Sequence, residues 1–143
     1  MFDEIIIETP KHCFQNFDEA KKWAKEHIVG IYRNNHTGED ITVSKTAIDK
    51  YLSSSSVLKS INKDVHLSAL IKLPHLIETS ILTETKQDRR NNKDIKAIQR
   101  FFGAIQYEYK IYAIKITVKV YPTGTNKAYS YEVTKIETPI NFK

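Results

Sequence analysis

The sequence predicts an α+β fold in which N-terminal helices and a small hairpin pack on a C-terminal antiparallel β-meander of about four strands. Two observations lead to this prediction. Apolar residues recur at helical spacing over 20–28, and they alternate with polar residues over 111–121. The links between the C-terminal strands are also too short for anything but antiparallel neighbours. We expect one domain, with an N-terminal extension at 1–15, a mainly helical half at 16–86 and the sheet at 95–137.

The first helix has clear start and stop signals. Asn16 followed by Glu19 has the spacing of a capping box, and an apolar stripe then recurs at helical intervals. The members of this stripe are Ala20, Trp23, Ala24, His27 and Ile28. Gly30 is expected to end the helix, because glycine adopts the left-handed conformation of a helix C-terminus without strain. A loose hairpin is predicted next, at 31–43.

Two more helices are predicted before the sheet. Ser44 is a good N-cap for a short helix that runs to about Leu52. Asp64 is expected to cap a longer helix over 65–80. Pro74 should bend this helix or divide it in two, because proline lacks a backbone N–H and its ring crowds the preceding turn.

Two polar stretches are predicted to be loops. One is the serine run at 53–56, and the other is 87–94, the most polar part of the chain. Arg89 and Arg90 lie at the centre of the second stretch, where they are expected to contact the phosphate backbone of a nucleic acid. The alternative is that they form an ordinary solvated run of charge.

The alternation in the C-terminal part defines a polar face. The three predicted strands are 100–107, 111–121 and 128–136. In the middle strand, Lys115, Thr117 and Lys119 point to one side, with Tyr121 following them. The flanking strands are expected to add to this face Arg100, Phe102 and Gln106 on one side and Ser130, Glu132 and Thr134 on the other. A register slip of one residue would turn a flanking strand over, so only the lysines and Thr117 are grouped by the sequence itself.

Composition narrows the class of protein and of partner. The 143 residues carry 22 Lys and Arg against 17 Asp and Glu, and this net charge of +5 is compatible with a phosphate-bearing partner. Cys13 is the only cysteine, which excludes an intramolecular disulfide and a cysteine-based zinc site. No histidine pair has metal-ligand spacing, and we expect neither a metal nor another cofactor. With no apolar run of membrane-spanning length and no signal peptide, we expect a cytoplasmic protein without membrane contact.

Several stretches resemble a known group of nucleases. They are 100–102, 112–119 and 129–133 in the predicted sheet, with 66–70 and 73–78 in the helical half. In this order, over about residues 30 to 137, the chain resembles the barnase/EndoU/colicin/RelE-like nuclease superfamily found in phage and mobile-element polyvalent proteins and in polymorphic toxins. The resemblance implies a four-stranded antiparallel sheet backed by helices. For active members it also implies metal-independent RNA cleavage, with RNA as substrate and an antitoxin or immunity protein as partner.

Metal-independent RNA cleavage needs a base, an acid and groups that stabilise the negative charge on phosphorus. His66 is the candidate acid or base, because a side chain near a helix start can reach toward an adjacent sheet. Lys115 and Lys119, with Thr117, are expected to hold the phosphate. Arg100, Ser130 and Tyr121 would add substrate contacts, Tyr121 by stacking on a base, and Tyr109 in a turn is another stacking candidate.

Each of these assignments has an alternative. His66 would otherwise be a surface or partly buried residue near a helix cap. Lys115 and Lys119 would otherwise lie on an ordinary solvated sheet face, paired across strands with Glu132. Two other functions also stay open. One is a non-catalytic module that binds nucleic acid or protein through the same face, and the other is a structural component of a larger assembly.

Overall fold

The computed structural model describes residues 5–87 and 95–135. Within them, five helices precede the long strands: α1 (Phe17–His27), α2 (Lys45–Tyr51), α3 (Ser54–Lys59), α4 (Lys63–Ile71) and α5 (Leu73–Thr79). The strands are β1 (Ile6–Glu8), β2 (Gly30–Arg33), β3 (Asp40–Val43), β4 (Ile81–Gln87), β5 (Ala97–Tyr107), β6 (Lys110–Val120) and β7 (Asn126–Thr134). The α+β prediction is confirmed at this level of detail.

The C-terminal meander has the predicted antiparallel connectivity and face. β5 pairs with β6 and β6 with β7, and Thr117 lies between Arg100 on one neighbour and Ser130 on the other. Lys115 likewise lies between Phe102 and Glu132. The alternation of β6 is therefore enough to place the polar side chains of three strands on one surface.

The sheet is larger than the predicted four strands. It has seven strands within the described residues, in the order β1-β5-β6-β7-β3-β2, with β4 also paired to β5. β4 and β1 lie end to end along the edge of β5 that β6 leaves free, and β1 runs parallel to β5. The hairpin of β2 and β3 joins the same sheet, because β3 pairs in parallel with β7. The sequence prediction missed β1 because it has only three residues, and β4 because its residues are mostly polar.

The structure confirms some of the predicted starts and ends of helices. The Asn16 side chain accepts a hydrogen bond of 2.8 Å from the backbone of Glu19, and Ser44 caps α2 in the same way. α1 ends at His27, so Gly30 begins β2 and does not cap the helix. Pro74 stands at the start of α5, where its missing N–H is not needed, and the predicted long helix is thus two helices.

Two local predictions in the helical half were wrong. The cap of α4 is Asn62 and not Asp64, since the Asn62 side chain accepts from the backbone of Val65. The serine run at 53–56 is not a loop but begins α3, with Ser53 as its N-cap. Serine favours a helix start because its hydroxyl satisfies a free backbone N–H there.

The helices and one face of the sheet enclose the hydrophobic core. Ile114, Ile116 and Val118 of β6 are fully buried on this face, opposite the lysines. Gly103 of β5 permits close contact with α5, because a side chain there would begin 3.1 Å from the Leu76 side chain. The longest helix of residues 5–87 and 95–135 has eleven residues, and none of the described helices is long and apolar enough to cross a bilayer.

The turn between β5 and β6 holds two non-glycine residues in the left-handed region. Glu108 has φ 47° and Tyr109 has φ 69°, a pair of angles that glycine and asparagine adopt most easily. The Tyr109 side chain is 97% exposed, so little packing offsets the strain.

We expect Tyr109→Gly to be more stable than Tyr109→Ala by about 1 kcal/mol, because only glycine relieves the positive φ. Both variants lose the same exposed ring, so alanine is the matched control. Urea unfolding of the two variants measures the difference. Equal free energies of unfolding would show that this turn is not strained.

Candidate nucleic-acid interface on the basic sheet face

The polar surface of β5, β6 and β7, hereafter the basic sheet face, contains a small cleft of about 160 Å³. The side chains that line it include three cations, three hydroxyls and one carboxylate: Lys59, Arg100, Lys115, Ser56, Thr117, Ser130 and Glu132. Lys59 and Ser56 come from α3, which forms one wall of the cleft. Cations and hydroxyl donors at one point are the groups that proteins use to contact phosphate oxygens.

The cations of the cleft are only loosely paired with acids. Lys115 Nζ lies 3.7 Å from Glu132 Oε1, and Arg100 Nε lies 3.9 Å from Glu84 Oε1. Strong charge-assisted hydrogen bonds are shorter, about 2.7–2.9 Å. Arg100 also donates to the Thr117 hydroxyl at 3.4 Å. Both cations therefore keep N–H groups that an incoming anion can use.

A bulge in β7 adds a second group of charges to the same face. Thr117 pairs with Ser130 but Val118 pairs with Ala128, so Tyr129 is an extra residue in β7. As a result, strict alternation is interrupted, and Lys127 can share the face of Ser130. Lys127 lies directly across from Lys119.

The lysines beside the bulge lie over aromatic rings. Lys119 Nζ is 3.5 Å and Lys50 Nζ is 4.3 Å from the centroid of the Tyr129 ring. Lys127 Nζ is 5.2 Å from the centroid of the Tyr121 ring. Cation–π attraction of this kind stabilises an ammonium group by about 0.5–1 kcal/mol at exposed sites. We call these five residues the lysine–tyrosine cluster.

His66 occupies a different part of the molecule. Its ring is completely buried, Nδ1 lies 2.6 Å from the Ser60 hydroxyl, and Nε2 lies 2.8 Å from the backbone carbonyl of Tyr51. A carbonyl only accepts, so Nε2 carries the proton and Nδ1 accepts from Ser60. The Ser60 hydroxyl in turn accepts from the backbone N–H of Val133. Every polar atom of the imidazole is thus satisfied by the protein.

His66 lies on the core side of the sheet, behind Tyr131, which also borders the cleft. The imidazole stacks on Tyr131 with ring centroids 4.3 Å apart, and Tyr131 pairs with Ile116 on the core side of the sheet. Lys115 and Thr117 point to the opposite side. Burial lowers the pKa of His66 to about 4, so the ring is neutral near pH 7. The catalytic assignment required His66 to lie beside the phosphate-binding candidates. The structure places it in the core instead.

The remaining predicted site residues fall into three groups. Arg100, Lys115, Thr117 and Ser130 come together in the cleft, and Lys119 and Tyr121 belong to the adjacent lysine–tyrosine cluster. Arg89 and Arg90 lie outside the described residues. In the described parts of the chain, no three His, Cys, Asp or Glu side chains are grouped so that they could hold a metal ion.

The sequence prediction missed four cationic or aromatic members of this surface, namely Lys50, Lys59, Lys127 and Tyr129. Lys59 follows a serine run that had been predicted to be a loop. Lys127 and Tyr129 reach the face only because of the bulge, which leaves no period-two signal. The lysines on either side of the serine run, Lys50 and Lys59, were the sequence signal that could have indicated this part of the surface.

Most of the chain matches a known protein family. The family model described as Large polyvalent protein-associated domain 3 matches residues 14–129. No curated protein and no solved structure gives a significant match. The match supports the polyvalent-protein context of the resemblance noted in the sequence, whereas membership of the nuclease superfamily stays a prediction.

The buried His66 makes the stability of the fold depend on pH. The unfolded chain takes up a proton near pH 6.5 and the folded chain only near pH 4, so stability is complete above pH 6.5 and falls as the pH is lowered through this window. From pH 7 to pH 5 this linkage should remove about 2 kcal/mol from the free energy of unfolding.

We expect His66→Gln to lose about 2 kcal/mol less than the wild type between these two pH values, because glutamine does not titrate. Urea unfolding at pH 7 and pH 5 measures both losses. His75→Gln is the control, since His75 is exposed. The wild type and His75→Gln should behave alike. If His66→Gln lost as much free energy of unfolding as the wild type between pH 7 and pH 5, the proposed linkage to His66 would be contradicted.

Proposed function

Because this chain belongs to the Large polyvalent protein-associated domain 3 family, we propose that it is a nucleic-acid-binding module of a phage or mobile-element polyvalent protein. The basic sheet face is the proposed binding surface. Phosphate groups of the nucleic-acid backbone would enter the cleft, where Arg100 and Lys115 offer charge and Thr117 and Ser130 offer hydroxyl groups.

One observation carries this proposal: the imbalance of charge on the basic sheet face. Its described cations are Lys50, Lys59, Arg100, Lys115, Lys119 and Lys127. The two carboxylates near them, Glu84 and Glu132, are held at 3.7–3.9 Å from Arg100 and Lys115. Such a concentration of positive charge on one surface attracts a polyanion and increases its rate of association.

RNA cleavage is a second candidate function, and it no longer depends on His66. The Glu132 carboxylate lies in the cleft beside Lys115, where a carboxylate can act as a general base toward a 2′-hydroxyl. The 2′-oxygen would attack the phosphorus as the bond from phosphorus to the 5′-oxygen breaks, and the leaving 5′-oxygen would take a proton from the Lys115 ammonium group. Arg100 would stabilise the negative charge that develops on the phosphoryl oxygens. Glu132 was expected only as a cross-strand partner of the lysines, and this position in the cleft supports the new role.

We expect the double variant Arg100→Gln/Lys115→Gln to bind a short fluorescein-labelled RNA at least about tenfold more weakly than the wild type at low salt, because two phosphate contacts are lost. Fluorescence anisotropy measures the dissociation constants. The slope of log K against log salt should also become less steep by about 0.7 for each contact removed.

The matched control for this experiment is Lys21→Gln/Lys22→Gln on α1, which removes the same charge from a helix that contributes no side chain to the cleft or to the lysine–tyrosine cluster. It should bind RNA like the wild type, apart from a small long-range effect. Equal weakening by the two double variants would mean that net charge alone controls binding, and the proposed surface would be rejected.

Cleavage is tested with RNA of mixed sequence in the presence of EDTA. If Glu132 is the base, Glu132→Gln should slow cleavage by at least about 100-fold while its affinity for RNA stays close to that of the wild type. Absence of cleavage by the wild-type protein would reject the enzymatic candidate and leave the binding function in place.

A further inference from the structure

The lysine–tyrosine cluster contains an arrangement of charge that the fold alone does not favour. Lys119 and Lys127 are direct cross-strand partners on β6 and β7. Like charges in this position destabilise an antiparallel pair. Lys50 approaches the same place from α2, since its ammonium group shares the Tyr129 ring with that of Lys119. Two ammonium groups thus share one aromatic ring beside the cleft, and the third lysine lies directly across from one of them.

The tyrosines hold these ammonium groups in place but do not neutralise them. The Tyr129 ring has Lys119 Nζ at 3.5 Å and Lys50 Nζ at 4.3 Å from its centroid. Neither lysine has a carboxylate within ion-pair distance among the described side chains. The Tyr129 ring therefore holds two unneutralised ammonium groups where an anion can bind them. We regard Tyr129 as a positioning residue.

Tyr121 differs from Tyr129 in how closely its ring is covered. The nearest ammonium group, that of Lys127, lies 5.2 Å from the ring centroid, and the residue is only partly buried. Tyr121 directly follows the last residue of β6, and its contact with Lys127 places its ring at the end of the same face, about 7 Å beyond Lys119. An aromatic ring in this position can stack on a nucleobase whose phosphate lies over the lysines.

From these contacts we propose that the lysine–tyrosine cluster is a second subsite, continuous with the cleft, and that it makes the basic sheet face selective for single-stranded nucleic acid. The cleft and the ammonium groups bind successive phosphates, and Tyr121, at the end of the cluster far from the cleft, stacks on the base next to the phosphate held by the lysines. This inference rests on the proposed nucleic-acid binding and names the form of nucleic acid that is bound.

The geometry of a duplex fits this surface poorly. In a double helix the bases are stacked inside, and the phosphates form two rows separated by grooves about 6 and 12 Å wide in the B form. A tyrosine ring on a sheet can reach a base only when the base is unstacked, as in a single strand or a loop. An acidic protein segment would pair with the lysines but has no base for Tyr121.

The experiment compares four probes by competition in fluorescence anisotropy. They are a single-stranded RNA of mixed sequence, the corresponding single-stranded DNA, the duplex of that DNA with its complement, and polyglutamate. We expect the wild type to bind the single strands at least about tenfold more tightly than the duplex or polyglutamate. The ratio between RNA and DNA then shows which single strand is preferred, since the inference requires only the backbone and unstacked bases that both share.

Two variant pairs separate the roles of the tyrosines. Tyr121→Ala should weaken single-strand binding about tenfold and leave duplex binding unchanged, whereas Tyr121→Phe, which keeps the stacking surface, should bind like the wild type. Tyr129→Leu should weaken binding of all nucleic acids and reduce the salt dependence, because the two ammonium groups are no longer held. Tyr129→Phe retains the ring, so its affinity and salt dependence should stay like those of the wild type.

The outcomes distinguish this inference from the function on which it rests. If the wild type binds no nucleic acid, both fail together. If it binds duplex and single strand equally and Tyr121→Ala binds like Tyr121→Phe, the single-strand subsite is refuted while nucleic-acid binding stands. Competition by polyglutamate as strong as that of single-stranded RNA would also refute it, in favour of an acidic protein partner.

Discussion

A buried chain of hydrogen bonds joins the helices to β7, and the arrangement of the molecule depends on it. The backbone of Val133 donates to Ser60, Ser60 donates to His66, and His66 donates to the carbonyl of Tyr51. Tyr131 donates back to the carbonyl of His66. Each of these four hydrogen bonds satisfies a buried polar group, and breaking one of them would leave a buried group unsatisfied at a cost of about 1–3 kcal/mol.

The alternation of β6 divides the sheet into two faces, and this connection holds the helices on one of them. Helices α2, α3 and α4 are fixed along β7 on the core side, so that the opposite face of β6 is left to Lys115, Thr117 and Lys119. The end of α3 still reaches around the edge of β7 and places Lys59 at the cleft. The histidine thus contributes to the candidate site indirectly, by fixing the helix that forms its wall.

The basic sheet face brings cations closer together than stability alone would favour. Cross-strand lysines repel each other, and the tyrosine rings stabilise their ammonium groups without neutralising them. A bound polyanion would relieve the repulsion and, by binding only the folded state, would stabilise the protein. The surface is therefore better suited to a ligand with several phosphates than to a single small anion.

Much of the local structure was determined by the sequence itself. The alternation around Thr117, the Asn16 cap and the break at Pro74 depend on neighbouring residues, and all three appear in the structure. The tertiary structure alone decided that His66 is buried, that β1 and β4 extend the sheet, and that a bulge brings Tyr129 to the basic face. These features depend on contacts between residues far apart in the chain, which sequence periodicity cannot encode because it reports only which residues share a face of their own helix or strand.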